Sequence, residues 1–262
     1  MTTIPIQSRK IPPSVTWERL PADFELPDEP VESNLQLLLA AALRESLELA
    51  SLILESGIIA TNFGICATVD RQTVVKAPDW VYIPAAQPFP AGEARRSYTP
   101  RTEGDLPSIV MEFISATDGG EYSFNPHYPY GKWYFYEQIL KVPHYVIFHP
   151  QLQVLEVYHL VDDKYQLASP DADRRFWIES LGLFLGTWSG KKSEYEGCWL
   201  RWWDKSGHLL LWGSELLALE RQQVDRERQR AEQESQRADR SEEKSVRLAA
   251  QLRSMGIDPD QI

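Results

Sequence analysis

The sequence predicts an α/β fold, a mixed β-sheet with a helix on each side. Two observations carry this reading. A leucine-rich segment with helical spacing precedes a series of short β-branched and aromatic runs, and a second, shorter helical segment interrupts those runs before the last of them. The order helix, β-meander, helix, strand, strand gives a sheet covered on both faces. With 43% apolar and 25% charged residues, the chain of 262 residues can bury a core as one large domain or two small ones.

The elements follow in order. Residues 1–30 hold six prolines, so they form an extended arm, with Trp17, Leu20, Phe24 and Leu26 able to pin it to the body. A helix is expected over about 30–56, because Leu35, Leu38, Leu39, Ala42, Leu49 and Ile53 recur at three- and four-residue spacing, and Gly57 ends it. The segments 57–69, 73–75 and 80–84 read as strands, and 85–105 as a loop rich in Pro, Gly and Arg. PSIVMEFIS (107–115) is a strong strand candidate. A glycine-bearing loop leads to a short helix over 132–141, then strands at 145–149 and 154–160, and a shorter strand beyond the turn at 162–164.

Residues 191–213 read as a tryptophan-rich hairpin with its turn at Asp204–Gly207, packing on the core as an apolar lid. From 214 to 255 the chain is rich in Glu, Gln, Arg and Ala and reads as a long charged helix, followed by a tail at 256–262. Leu217, Val224, Ala231, Ala238, Ser245 and Leu252 form a column at seven-residue spacing. The companion column is mostly polar, so a weak coiled coil or a solvated helix is expected rather than a zipper.

Composition excludes several classes. No apolar run reaches the roughly 20 residues of a membrane span, and no apolar stretch follows the N-terminal charges, so neither a membrane nor a secretory signal is expected and the cytoplasm is the expected location. The two cysteines, Cys66 and Cys198, cannot form a disulfide framework or a four-thiolate zinc site. The net charge of −11 is unlike that of a protein that holds nucleic acid by bulk electrostatics, so DNA contact would need a local basic patch or a metal. No GxGxxG, P-loop, HExxH or GxSxG pattern is present.

Glu112 is the position that demands explanation. On the strand PSIVMEFIS, Ile109, Met111 and Phe113 share one face, and Val110, Glu112 and Ile114 share the other. A carboxylate between apolar neighbours on such a strand is desolvated and needs a cation, either a basic side chain in a buried salt bridge or a metal. Asp79, in KAPDWVYIP, starts a neighbouring strand; alone it is a turn-forming Asp after Pro. Together the two acids could converge on a hard cation such as Mg²⁺. Lys132 opens the short helix, where its ammonium could reach the sheet edge and position or deprotonate a water, or neutralise a phosphate. Glu32, Glu45 and Glu48 are candidate third acids, and Arg95, Arg96 and Arg101 form the best local basic cluster. His144 and His149 read as structural.

These residues, in the stretches APDWVYIP (77–84), IVMEFIS (109–115), GKWYFYEQIL (131–140) and HYVIFHP (144–150) followed by LEVYHL (155–160), resemble the Uma-two family, which is grouped with restriction endonucleases in the PD-(D/E)xK nuclease superfamily. The resemblance covers residues 30–185 or so. It implies a restriction-endonuclease-like core over 31–190 and a divalent-metal site for Mg²⁺ or Mn²⁺, with Asp79 and Glu112 as the acids. The lysine of the superfamily motif falls at Ile114, and the resemblance implies that Lys132 replaces it. His149 stands where an aspartate often precedes the later proline, and Glu32, Ser33 and Asn34 stand where the first helix often begins with histidine.

The function implied is metal-dependent endonucleolytic hydrolysis of DNA phosphodiester bonds, with Asp79, Glu112 and Lys132 as catalytic residues. The alternative is a catalytically inactive protein of the same fold, acting as an interaction or scaffold module through its C-terminal helix. A self-assembling structural protein without a ligand is a third reading. DNA, a second copy of the chain, because cutting both strands usually needs two sites, and a protein bound by the long helix are the expected partners.

Overall fold

The structure, a computed structural model, describes residues 34–114 and 120–256. The proline-rich arm with its four anchoring side chains, and Glu32, lie outside the described residues.

Helix α1 (Asn34–Leu49) buries Leu35, Leu39, Ala42, Leu43 and Leu47 along one stripe. It stops well before Gly57. Ser51 adopts φ +55° and the Leu52 amide donates to the Leu47 carbonyl at 3.0 Å, closing the helix with a left-handed residue where sequence rules look for glycine. Of the residues that prolonged the apparent periodicity, Leu49 is exposed, and Ile53 is partly buried against the core from outside the helix.

The strands are β1 (Ile58–Ala60), β2 (Gly64–Val69), β3 (Gln72–Lys76), β4 (Trp80–Ile83), β5 (Ser97–Tyr98), β6 (Ile109–Phe113), β7 (His144–His149), β8 (Val154–Val161), β9 (Lys164–Leu167), β10 (Phe176–Ile178), β11 (Leu183–Lys192) and β12 (Tyr195–Trp203). The central sheet has the order β1-β4-β6-β7-β8-β9, and β2, β3 and β5 form a separate sheet in the order β3-β2-β5. The run 57–69 is therefore two strands in two sheets. Asn62, a residue type that tolerates the left-handed region, turns between them at φ +48°.

Within the central sheet only β6 and β7 are parallel. A parallel pair needs a crossover. Here it carries α2 (Lys132–Tyr134), which continues as a π-helical turn over Phe135–Leu140 and ends at Lys141 in the left-handed region.

The sheet separates two apolar layers. On one face Ile109, Met111 and Phe113 of β6 pack with α1 and with the three-stranded sheet β10-β11-β12, through Leu185, Trp199 and Trp202. On the other, Val110 and Ile114 pack with Trp133, Phe135 and Tyr136 of the crossover and with Ile65 and Tyr98 of the small sheet. The period-two alternation read from PSIVMEFIS is the alternation observed.

The hairpin differs from expectation. Its strands are β11 and β12, paired from Phe184↔Trp203 to Lys192↔Tyr195, so the reversal lies at Ser193–Glu194. The first strand, LFLGTWSGKK, gave little signal because Gly186 and Gly190 interrupt its β-formers. Asp204–Gly207 is a turn, but the chain beyond it makes only the single bridge Trp203↔Leu209. The tryptophans are structural. The indole N–H of Trp202 donates to the Leu43 carbonyl at 3.3 Å and that of Trp212 to the Ala42 carbonyl at 3.1 Å, tying this sheet and the start of α3 (Gly213–Ser254) to α1.

Arg201 sits at the root of α3. Its guanidinium is fully buried, stacks 3.4 Å from the Trp212 ring centroid, and bonds both carboxylate oxygens of Glu215 at 3.1 and 2.7 Å. Glu215 also accepts the Trp212 amide at 2.8 Å, so one carboxylate caps the helix and neutralises the cation. Removing one partner of a buried pair strands the other. Glu215→Ala should lower unfolding free energy by about 3 kcal/mol in urea titration, against little change for an exposed mid-helix substitution such as Gln233→Ala.

His144, on β7, hydrogen-bonds the Ser108 carbonyl through Nδ1 at 3.2 Å and is buried, which requires a neutral ring with its proton on that nitrogen. Burial holds its pKa down to about 4, below the ordinary 6.5. The unfolded chain takes up the proton near pH 6.5 and the folded chain does not until about pH 4, so the stabilisation is complete above pH 6.5 and is lost as pH falls through that window. Relative to His144→Gln, the native chain should lose about 2 kcal/mol of stability between pH 7 and pH 5 in urea titration.

Candidate functional site

Glu112 lies at the middle of the central sheet and is fully buried. Its side chain projects to the face covered by the crossover helix. There the Lys132 ammonium donates to Oε2 at 3.0 Å and the Tyr136 hydroxyl to Oε1 at 3.1 Å. Both donors come from one turn of the same helical segment. Gly131, at its N-terminus, passes so close to the Ser123 backbone carbonyl that any Cβ would clash with it, so the approach that seats Lys132 requires glycine.

Asp79 is the residue before β4. Trp80 pairs with Met111, so Asp79 falls across from Glu112, and its Oδ2 accepts the Phe113 amide at 2.6 Å. The acids expected on neighbouring strands are therefore brought to one edge. Lys132 joins them, and it also bonds Glu121 Oε1 at 3.2 Å.

Burial pushes the Glu112 carboxyl up to about 8, Asp79 and Glu121 add to the rise, and the Lys132 ammonium works against it. Burial alone would pull Lys132 down, but Glu112 and Glu121 more than reverse this, so it stays protonated with a raised pKa. A permanently charged ammonium is a donor and a neutraliser of negative charge, not a base.

Three members of this cluster gave no sequence signal. Tyr136 reads as core by spacing, and its phenol is raised well above 10 by burial and by Glu112. Glu121 sits in a polar loop yet is buried. Lys76, three residues before Asp79 at the end of β3, is close enough to Lys132 and Glu112 to feel both charges, and burial lowers its pKa.

Other expected residues lie elsewhere. Arg95 pairs with Glu103, bonds the Gln87 carbonyl and stacks on Phe89, so it is spent holding its own loop together. Arg96 and Arg101 are exposed on that loop. Glu45 bonds Lys192 and the Gly213 amide, and Glu48 pairs with Arg44 one turn away, so neither serves as a third acid. His149 meets Tyr122 at 3.3 Å. Ile114, at the lysine position of the motif, is buried in the apolar layer.

The donors suit a hard divalent cation, which takes oxygen ligands, keeps several waters and needs only one or two carboxylates. No cluster of three or more metal-ligating side chains occurs among the described residues, so Asp79 and Glu112 are the acids offered. The Phe113 carbonyl adds an oxygen at the same edge. It accepts Gln36 Nε2 at 3.0 Å, and the other amide atom of Gln36, Oε1, is buried without a partner.

A helix-flanked mixed sheet with an acid on each of two adjacent strand ends, and a lysine delivered by the crossover, defines a restriction-endonuclease-like α/β protein. The family model Uma2, described as "Putative restriction endonuclease", matches residues 12–189, and the chain belongs to that family. No curated protein matches it. Among the described residues no helix is long and apolar enough to cross a membrane.

The raised Glu112 carboxyl has a measurable consequence. The unfolded chain releases this proton near pH 4.5 and the folded chain near 8, so Glu112 makes the fold lose stability as pH rises across that window. Relative to Glu112→Gln, the native chain in EDTA should lose roughly 3 kcal/mol between pH 5 and pH 8 by urea titration. Equal slopes in the two proteins would show that Glu112 is ionised throughout.

Proposed function

We propose that the protein is a divalent-metal-dependent endonuclease that hydrolyses phosphodiester bonds of DNA. The observation that supports this reading is that Asp79, across from Glu112, and Lys132, bonded to Glu112, gather at the end of β6 in the middle of the sheet. Asp79 and Glu112 would hold Mg²⁺ or Mn²⁺, which when bound supplies neutralisation of phosphate charge and easier ionisation of an attacking water. Asp79 is fixed for this task by the Phe113 amide. Tyr136 and Lys132 orient the two oxygens of Glu112 and stabilise its anion. Lys132, protonated, neutralises charge that develops on the scissile phosphate as water adds and the leaving oxygen departs. Lys76, beside it, adds a second positive charge to the same locality.

A second reading is favoured by the saturation of this cluster. Lys132 is already shared by Glu112 and Glu121, and Ile114 fills the motif's lysine position. On that reading the site is a structural ion-pair network, and the protein acts through α3 as an interaction module.

Plasmid nicking separates the two. Purified protein with Mg²⁺ or Mn²⁺ should convert supercoiled plasmid to open circle, EDTA should abolish this, and Asp79→Asn, Glu112→Gln and Lys132→Met should each slow it by about 100-fold or more. Nicking that survives Glu112→Gln, or no nicking with either metal, leaves the structural reading.

A further inference from the structure

The long helix α3 is charge-sorted. At 100° per residue, Arg226, Arg230, Arg237, Arg240, Lys244 and Arg247 fall within an arc of about 100°, filled otherwise by glutamines and Leu248 from Gln222 to Gln251 and containing no acid, while Arg221, Arg228 and Arg253 lie outside it. The acids of the same stretch, such as Glu227, Glu234, Asp225 and Glu232, lie on the flanks and beyond. All six cations are exposed, and among the described residues none forms an ion pair.

Sorting of this kind works against the helix. Arg226 and Arg230, and Arg240 and Lys244, are like charges at i,i+4, which destabilises a helix by a few tenths of a kcal/mol per pair. A helix that only needed solvation would alternate its signs around the axis. The acidic flanks likewise argue against self-pairing along the Leu217–Leu252 column. A parallel partner would set Glu220 against Asp225, Glu227 against Glu232 and Glu234 against Asp239, acid against acid over the first three such positions.

We propose that this stripe binds the phosphate backbone of double-stranded DNA, independently of sequence. From Arg226 to Arg247 it runs about 32 Å, close to one turn of duplex. It is also the local basic patch that a chain of net charge −11 needs for any such contact. The helix is rooted through Trp212 on α1, across the sheet from the Glu112 carboxylate. The stripe is thus a tether that raises the concentration of duplex near the protein, not a wall of the cleft. The choice of DNA as the polyanion rests on the nuclease reading.

Full-length protein in EDTA, where no cleavage occurs, is titrated with a fluorescent 30-base-pair duplex across 50–200 mM salt. The expected slope of log affinity against log salt is about −4 to −5, from four to six phosphate contacts. In R226Q/R230Q/R237Q/R240Q/K244Q/R247Q, with helicity checked by circular dichroism, affinity at 50 mM salt should fall at least about 100-fold and the slope should collapse. A variant carrying lysine at the five arginine positions should bind like the native chain, which shows that charge and not fold is lost. The proposal is overturned if the glutamine variant binds as the native chain does, if the native chain does not bind duplex, or if it sediments with phosphatidylserine vesicles and duplex does not compete. Nicking without loss of binding in the glutamine variant sinks this proposal and leaves the nuclease reading standing. Stripe-dependent binding without nicking does the reverse.

Discussion

The structure turns on one buried carboxylate. Glu112 sits on the middle strand of the central sheet with no exposure, where an isolated charge would cost several kcal/mol. Its neighbours follow from that cost. A cation must reach it from the layer above the sheet, which is the crossover between the parallel strands β6 and β7. The crossover is the only connection that passes over this face directly from Glu112's own strand, and its first helical residue is Lys132. Tyr136, one turn on, satisfies the second oxygen. The close passage at Gly131 and the fixed start of the helix are part of the same solution.

The opposite face is solved differently. There the sheet is closed mainly by apolar area, from α1 and the tryptophan-rich sheet, with a few polar contacts between them, such as the indole bonds to the Ala42 and Leu43 carbonyls and the Lys192–Glu45 pair. Among the described residues the one charge buried on this side, Arg201, is matched by Glu215 and covered by Trp212. One face of the sheet is therefore mainly apolar, while the other holds six ionisable groups in one cluster, Lys76, Asp79, Glu112, Glu121, Lys132 and Tyr136.

Much of this was legible in the sequence, for identifiable reasons. The period-two alternation of PSIVMEFIS placed Glu112 among apolar residues on one face, and the chain order placed Asp79 on a neighbouring strand and Lys132 on the crossover. These are local patterns, which fix where the residues stand and leave open whether Glu112 takes a salt bridge or a metal. What was not legible depends on distant pairing. Lys76 and Glu121 enter the cluster because β3 and the loop after β6 happen to lie beside it, and no local pattern marks that. Tyr136 is hidden because its ring is core and only its hydroxyl is at work. The end of α1 was misplaced because Ser51 takes a left-handed conformation that glycine usually signals. The strand β11 was missed because glycine breaks its pattern, though pairing along its whole length with β12 overrides that weakness.

The absence of a lysine at position 114 has a physical logic. A lysine two positions beyond Glu112 would rise from the same strand, about 7 Å along it, and its stem would have to cross the apolar layer that Ile114 now fills. Lys132 comes instead from the layer above, so its ammonium meets Glu112 directly while the strand keeps an unbroken apolar face. The consequence is a change in what controls the site. A strand lysine is fixed by the sheet itself, whereas Lys132 is in place only when the crossover helix is docked. Charge neutralisation at Glu112 is thereby coupled to the packing of Trp133 and Tyr136, and anything that loosens that helix strips the carboxylate of its partner before it disturbs the sheet.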